Sequence, residues 1–182
     1  VISSMLTSQG FKKGLLLVGD SSSLLAGIED KALSPLFGDA GCATAFEYNE
    51  GKNINFKLWT DGSGFQSIII PDGGYRNRFS EKSLCVLEDK NGNKRTNVNP
   101  KMNGTDVFSF GITQVPRELK SFIKQLSKEV SDIDYFLFHQ ANKFMLEMIR
   151  KKLKLGSIQV PYSIIKYGNT SSASIPLTLS LL

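Results

Sequence analysis

Apolar positions along this chain fall into two periods, and the alternation of those periods predicts a layered α/β fold. Gly14-Leu15-Leu16-Leu17-Val18-Gly19 is a short apolar run between glycines, the pattern of a buried strand. Ser21 to Pro35 is mixed and rich in small residues, and reads as loop. From Leu36 to Glu47 a glycine-bearing turn runs into a second strand. Ile54 to Trp59 and Phe65 to Ile70 predict strands, with Asp61-Gly62-Ser63-Gly64 as the turn between them. Residues 71 to 101 form a polar excursion rich in glycine and asparagine, with a short hairpin expected around Leu84 to Leu87. Val107 to Val130 carries apolar residues every three to four positions, the spacing of a long amphipathic helix, and Pro116 inside it predicts a kink or a restart. Asp134 to Phe138 reads as a buried strand that delivers His139 at its carboxyl end. Gln140 to Leu153 resumes the helical period, with Phe144, Met145, Met148, Ile149 and Leu153 on one side and Gly156 as the stop.

Both ends of the sequence read as parts of longer elements. Ile2, Met5 and Leu6 have helical spacing and Gly10 follows, so Val1 to Gly10 looks like the tail of a helix without its beginning. Pro176 opens another helix, and the apolar residues after it need burial. The expectation is an internal piece of a longer protein.

Composition removes several classes. The longest strictly apolar runs, such as Leu15 to Val18 and Tyr135 to Phe138, are about four residues, far short of a membrane span. The stretch after Val1 does not have the charged-then-apolar pattern of a signal peptide. Two cysteines cannot build a disulfide scaffold, and with one histidine they make a poor zinc site, so no metal is expected and a reducing, cytoplasmic compartment is. Lys and Arg number 22 against 17 Asp and Glu, a net charge of +5. The excess sits in short clusters, among them Lys12-Lys13 and Arg150-Lys151-Lys152. These read either as solvated faces or as a patch for an acidic macromolecule; no nucleic-acid-reading pattern accompanies them.

Two segments hold candidate chemistry. His139, the only histidine, stands between a predicted strand and a helix, where open α/β sheets place their ligand sites. A histidine there either caps the sheet by hydrogen bonds or faces a ligand. Thirty residues later comes Tyr167-Gly168-Asn169-Thr170-Ser171-Ser172-Ala173-Ser174. This is a tight turn into small residues, with a carboxamide able to donate two hydrogen bonds. It also reads as an ordinary turn before a helix cap.

Together these segments resemble the β-ketoacyl-acyl-carrier-protein synthase III family of the thiolase superfamily. His139-Gln140-Ala141-Asn142 and Gly168-Asn169-Thr170-Ser171 match two of its motifs in order and spacing. Phe37-Gly38-Asp39-Ala40-Gly41-Cys42-Ala43 resembles its glycine-rich turn, and Met102-Asn103-Gly104-Thr105-Asp106-Val107-Phe108 its Met-x-Gly-x-x-Val-Phe helix start. The resemblance covers residues 10 to 180. It implies a thiolase-type layered fold with a mixed sheet, expected to be incomplete because both ends of the subunit are missing, with residues 1–48 similar to the end of the N-terminal half of a subunit and 49–182 to most of its C-terminal half.

The resemblance implies a condensing acyltransferase of fatty acid biosynthesis. A cysteine thiolate takes the acyl group from acyl-CoA; malonyl-acyl-carrier protein then loses carbon dioxide and attacks it. Acyl-CoA is a substrate, no cofactor is needed, acyl carrier protein is the partner, and the subunit pairs as a homodimer. His139 and Asn169 match the family's catalytic pair, two neutral donors for a developing enolate oxygen. Gly104, Phe108, Ala141 and Asn142 match the pantetheine tunnel, Phe108 being equally readable as helix packing. Lys31 stands where relatives carry an arginine near the CoA nucleotide, but offers only a point charge. Neither Cys42 nor Cys85 matches the nucleophile, whose position lies upstream of Val1. The chain by itself is therefore expected to lack condensing activity. Two other functions stay open at this point: a thiolase-fold acyltransferase acting on a hydroxyl or amine acceptor, and a non-catalytic binding module.

Overall fold

The computed structural model describes residues 2–8, 10–52 and 54–182. Helix α1 (Ile2–Ser8) leads into β1 (Lys13–Asp20), which pairs antiparallel with β2 (Ala40–Glu47) from Lys13 opposite Glu47 to Asp20 opposite Ala40. Val1 and Gln9, parts of the expected helix tail, lie outside the described residues. β1 forms as predicted but is not buried: Leu15 and Leu17 are 59% and 68% exposed. Its apolar run expresses strand propensity, and nothing in the described residues covers that face.

The strands expected next are mostly unpaired. Ile54 to Trp59 is extended and exposed without a ladder, and of Phe65 to Ile70 only β3 (Ile68–Ile69) pairs, with β6 (Lys101–Met102). A strand needs a neighbour's N–H and C=O groups as well as β-prone residues, and the neighbour is what a sequence window leaves out. The hairpin of the polar excursion sits slightly later than expected. It joins β4 (Leu87–Glu88) to β5 (Lys94–Arg95) around Asn91-Gly92, because Glu81 to Leu84 forms a 3-10 turn instead. Arg95 anchors this excursion: its Nε lies 3.2 Å from the fully buried Asp30 carboxylate and its Nη2 2.7 Å from Asp89.

Helix α2 (Gly104–Gln125) starts at Asn103, whose Oδ1 accepts from the backbone N–H groups of Thr105 at 3.1 Å and Asp106 at 3.3 Å. It runs unbroken through Pro116. The predicted restart does not occur, for a reason visible on the neighbouring helix. Pro116 has no N–H to offer the Ile112 carbonyl, and Lys152 Nζ donates to that oxygen at 2.8 Å instead.

The expected strand over Asp134 to Phe138 is extended but joins no ladder; it makes one backbone bond to a distant segment of the same chain, Phe136 N–H to the Gln159 carbonyl at 2.8 Å. The following helix, α3 (Lys143–Leu153), begins three residues later than predicted because Asn142 caps it, with Oδ1 accepting from Met145 N–H at 2.7 Å. It ends at Lys154 in the left-handed region, φ 58°, before Gly156 is reached. Ile123, Phe136, Met145, Ile149, Leu153, Leu155 and Val160 form the buried core between α2, α3 and the extended segment. Short helices α4 (Ile164–Tyr167) and α5 (Ser174–Leu179) complete the chain, and α5 packs against β2. Three short antiparallel pairs and one parallel bridge thus stand for the expected mixed sheet among the described residues.

Candidate active site

His139 and Asn169 are each placed by local backbone chemistry. His139 ends the extended segment that carries Phe136 into the core, and its carbonyl closes a tight turn onto the Ala141 N–H at 3.0 Å. This leaves the ring at a rim. More than a third of its surface is open to solvent, while its Nδ1 lies 2.8 Å from Ser174 Oγ. The surrounding protein desolvates the ring enough to lower its pKa below the ordinary 6.5, partly offset by a hydrogen bond with the Ser171 backbone. The imidazole is therefore neutral at physiological pH.

Asn169 is 7% exposed and held by its own backbone. It bridges Phe37 in parallel fashion: its N–H donates to the Leu36 carbonyl and its carbonyl accepts from Gly38 N–H, both at 2.9 Å. A side chain at Gly38 would fall on the Tyr167 carbonyl, so only glycine permits this approach. Gly168 takes φ 70° with ψ −166°, a region closed to other residues, and turns the chain into Asn169. The glycine-rich segment 37–43 thus works as a clamp on the Asn169 loop. From the other side the Asp20 carboxylate accepts from Ser172 N–H at 3.0 Å. Hydrogen bonds from the Ser172 hydroxyl, the Ser172 backbone and the Ser171 hydroxyl hold the Asp20 carboxyl below the usual carboxylate range.

Ser171 connects the two candidates. Its N–H donates to Asn169 Oδ1 at 3.0 Å, and its backbone faces the His139 ring, where it slightly favours the imidazolium. Its own φ is 51°, one of three positive values among described non-glycine residues. With Oδ1 committed, the Asn169 NH2 has no hydrogen-bond partner among the described residues.

A cavity of about 850 Å³ opens beside His139, lined by Phe138, Ala141 and Met145 and by the α2 face around Phe110 and Gln114. Ala141 lines it as well as His139; Asn169, Gly104, Phe108, Asn142 and Lys31 do not. Phe108 packs at the edge of the core and stacks on Phe144 at 5.4 Å, Gly104 opens α2, Asn142 caps α3, and Lys31 is exposed in the turn after Asp30. Cys42 lies on β2 with Sγ 3.9 Å from the Ala173 carbonyl, and Cys85 is exposed in the polar excursion. Among the described residues no three His, Cys, Asp or Glu side chains cluster for a metal, and no helix is long and apolar enough to cross a membrane.

Residues 123–182 match the family model described as 3-oxoacyl-[acyl-carrier-protein] synthase III C terminal. A putative 3-oxoacyl-[acyl-carrier-protein] synthase 3 of Campylobacter jejuni is 32% identical over 179 residues, which is 96% of this chain and 50% of that protein. The β-ketoacyl-[acyl-carrier-protein] synthase III of Streptococcus pneumoniae is 31% identical over 96% of this chain and 51% of its own length. A crystal structure of a 3-oxoacyl-(acyl-carrier-protein) synthase III superimposes with a TM-score of 0.93 at 34% identity, covering 98% of this chain and 54% of that one. Over nearly its whole length the chain is thus similar to one half of synthase III proteins. A second crystal structure, the 3-oxoacyl-(acyl-carrier protein) synthase of Burkholderia xenovorans, gives a TM-score of 0.78 at 33% identity over 98% of this chain and 49% of that one. The fold of the chain is accordingly the layered thiolase type, and the chain spans about half the length of the curated relatives it matches.

Sequence reasoning singled out His139 and Asn169 but gave no task to Gln140 or Ser174, which touch the histidine turn from behind. A polar residue directly after an apolar run, as Gln140 is, was the available signal. For Ser174, 35 residues from His139, there was none.

Proposed function

We propose that this chain supplies the decarboxylating half of a synthase III-type condensing site, as a segment of a longer subunit with residues 1–48 closing its N-terminal half and 49–182 forming most of its C-terminal half. The observation that carries the reading is that His139 lines a largely apolar cavity while Asn169, with Oδ1 engaged by Ser171, keeps its carboxamide NH2 without a partner among the described residues. A neutral imidazole and a free carboxamide NH2 are donors that add no negative charge to the site. In a malonyl thioester the bond to the carboxylate breaks, carbon dioxide leaves, and the electron pair moves into an enolate whose oxygen needs such donors. The enolate carbon then attacks an acyl thioester carbonyl and expels the thiolate. That thiolate is not Cys42 or Cys85, and comes from outside this chain.

In this reading acyl-CoA and malonyl-acyl-carrier protein are the substrates. Ala141 borders the pantetheine path at the cavity wall. Asn142 uses Oδ1 as a cap and keeps its NH2 for a pantetheine carbonyl. Gly104 and Phe108 shape the neighbouring helix start, and Lys31 offers a charge to the nucleotide phosphates. Arg150 is bound to Glu147 and the Leu155 carbonyl, and Lys152 to Ile112, so Lys143 and Lys151 are the α3 cations left for an acidic carrier protein. The same reading carries a homodimer. The test is product formation by the full-length protein from acyl-CoA and malonyl-carrier protein. A 3-oxoacyl-carrier product in the mass spectrum supports the reading; acylation of Cys42 or Cys85 overturns it.

A further inference from the structure

Behind His139 runs a closed ring of buried hydrogen bonds. Ser174 Oγ lies 2.8 Å from His139 Nδ1 and accepts from the Gln140 backbone N–H at 3.4 Å. The Ser174 carbonyl accepts from Thr178 Oγ1 at 2.6 Å, and Thr178 Oγ1 meets Ser163 Oγ at 2.7 Å. Gln140 closes the ring: its Oε1 accepts from the backbone N–H groups of Ser163 at 3.1 Å and Ile164 at 3.2 Å, and its Nε2 donates to the Phe138 carbonyl at 3.0 Å. Gln140, Ser163, Ser174 and Thr178 are each no more than 2% exposed. A polar network this deeply buried is costly unless every member is paired, and a fully paired one is rigid.

The ring also fixes directions. Thr178 spends its hydroxyl hydrogen on the Ser174 carbonyl, so Ser163 donates to Thr178. Ser174 Oγ already receives the Gln140 N–H, and the one acceptor in reach of its own hydrogen, among the described residues, is His139 Nδ1. A neutral imidazole whose Nδ1 accepts carries its proton on Nε2. We propose that Ser174 is a positioning residue that sets the tautomer of His139, its hydroxyl donating to Nδ1 and keeping the ring proton on Nε2. A ring nitrogen without a proton cannot donate to an enolate oxygen, so this assignment gives the proposed donor its hydrogen. Its purpose rests on the function proposed above; its geometry does not.

The test uses the fact that His139 is the only histidine. The 182-residue chain is labelled with 15N-histidine, and the ring nitrogens are read by long-range proton–nitrogen NMR at about pH 8, where the ring is neutral. The expected spectrum is one Nε2–H tautomer with Nδ1 in the range of a hydrogen-bonded acceptor. Ser174→Ala should move the Nδ1 resonance downfield, to that of an unbonded acceptor. Ser174→Thr, which keeps a hydroxyl, should restore it. Thr178→Val breaks the ring one link away and should lower the melting temperature while leaving the ring nitrogens unmoved. An Nδ1–H tautomer in the unmodified chain overturns the assignment even if a variant fails to fold. So does an unchanged Nδ1 in Ser174→Ala, or an equal shift in Thr178→Val. No substrate enters the measurement. Absent decarboxylation with this spectrum intact therefore counts against the proposed function alone.

Discussion

The ammonium of Lys152 on α3 donates to the Ile112 carbonyl of α2, the acceptor that Pro116 leaves without its helical partner. One side chain thereby lets a proline stand inside a 22-residue helix and ties the two core helices together. Replacing Lys152 by Met removes a charge-assisted hydrogen bond and should cost about 1 kcal/mol. In a Pro116→Ala background the alanine N–H satisfies the same carbonyl, and the cost of Lys152→Met should shrink toward zero. Urea unfolding of the four proteins reads the coupling. Equal costs in both backgrounds would refute the link.

Gly38→Ala places a methyl group on the Tyr167 carbonyl. Backbone must move on one side, so the loop that holds Asn169 should loosen and the chain should lose about 1–3 kcal/mol. Gly62 has open space around it, and Gly62→Ala should stay within about 0.5 kcal/mol of the parent. Hydrogen exchange of the Gly38 and Asn169 amides separates the cases. Both amides should exchange faster in Gly38→Ala and be unchanged in Gly62→Ala.

How much of this was legible in the sequence depends on what each feature needs. Helices α2 and α3 were visible because their apolar period is local, but their ends were not: the Asn103 and Asn142 caps start them at Gly104 and Lys143 rather than at Val107 and Gln140, and α2 stops at Gln125 rather than Val130. The Asn169 turn was visible because Gly168 and Asn169 are neighbours. The strand segments Ile54 to Trp59 and Asp134 to Phe138 show the right propensity, but a ladder is made by a second chain segment that the window does not contain. Pro116 misled for the same reason: its remedy, Lys152, is far away in sequence. The ring behind His139 is built from positions 140, 163, 174 and 178, each an ordinary polar residue taken alone.

Acid should destabilise the chain through His139. Its folded pKa lies below the unfolded value near 6.5, because desolvation disfavours the imidazolium. Between those two values the unfolded chain binds more protons, so stability rises with pH across that window and is lost as pH falls through it. Replacing His139 by Asn removes this contribution. The drop in melting temperature from about pH 7.5 to about pH 5.5 should therefore be smaller in His139→Asn than in the parent. The carboxylates held low, Asp20 and Glu147 among them, act further into acid and are common to both proteins.

The most direct test of the site is the rate of carbon dioxide release from malonyl-acyl-carrier protein by the full-length protein, compared with acyl transfer from acyl-CoA to its cysteine. His139→Ala and Asn169→Ala each remove one donor from the enolate oxygen and should slow decarboxylation about a hundred- to a thousandfold. Acyl transfer forms no such enolate and should change far less. Decarboxylation at the parent rate in either variant, or loss of acyl transfer equal to the loss of decarboxylation, would contradict the assignment of His139 and Asn169 as its donor pair.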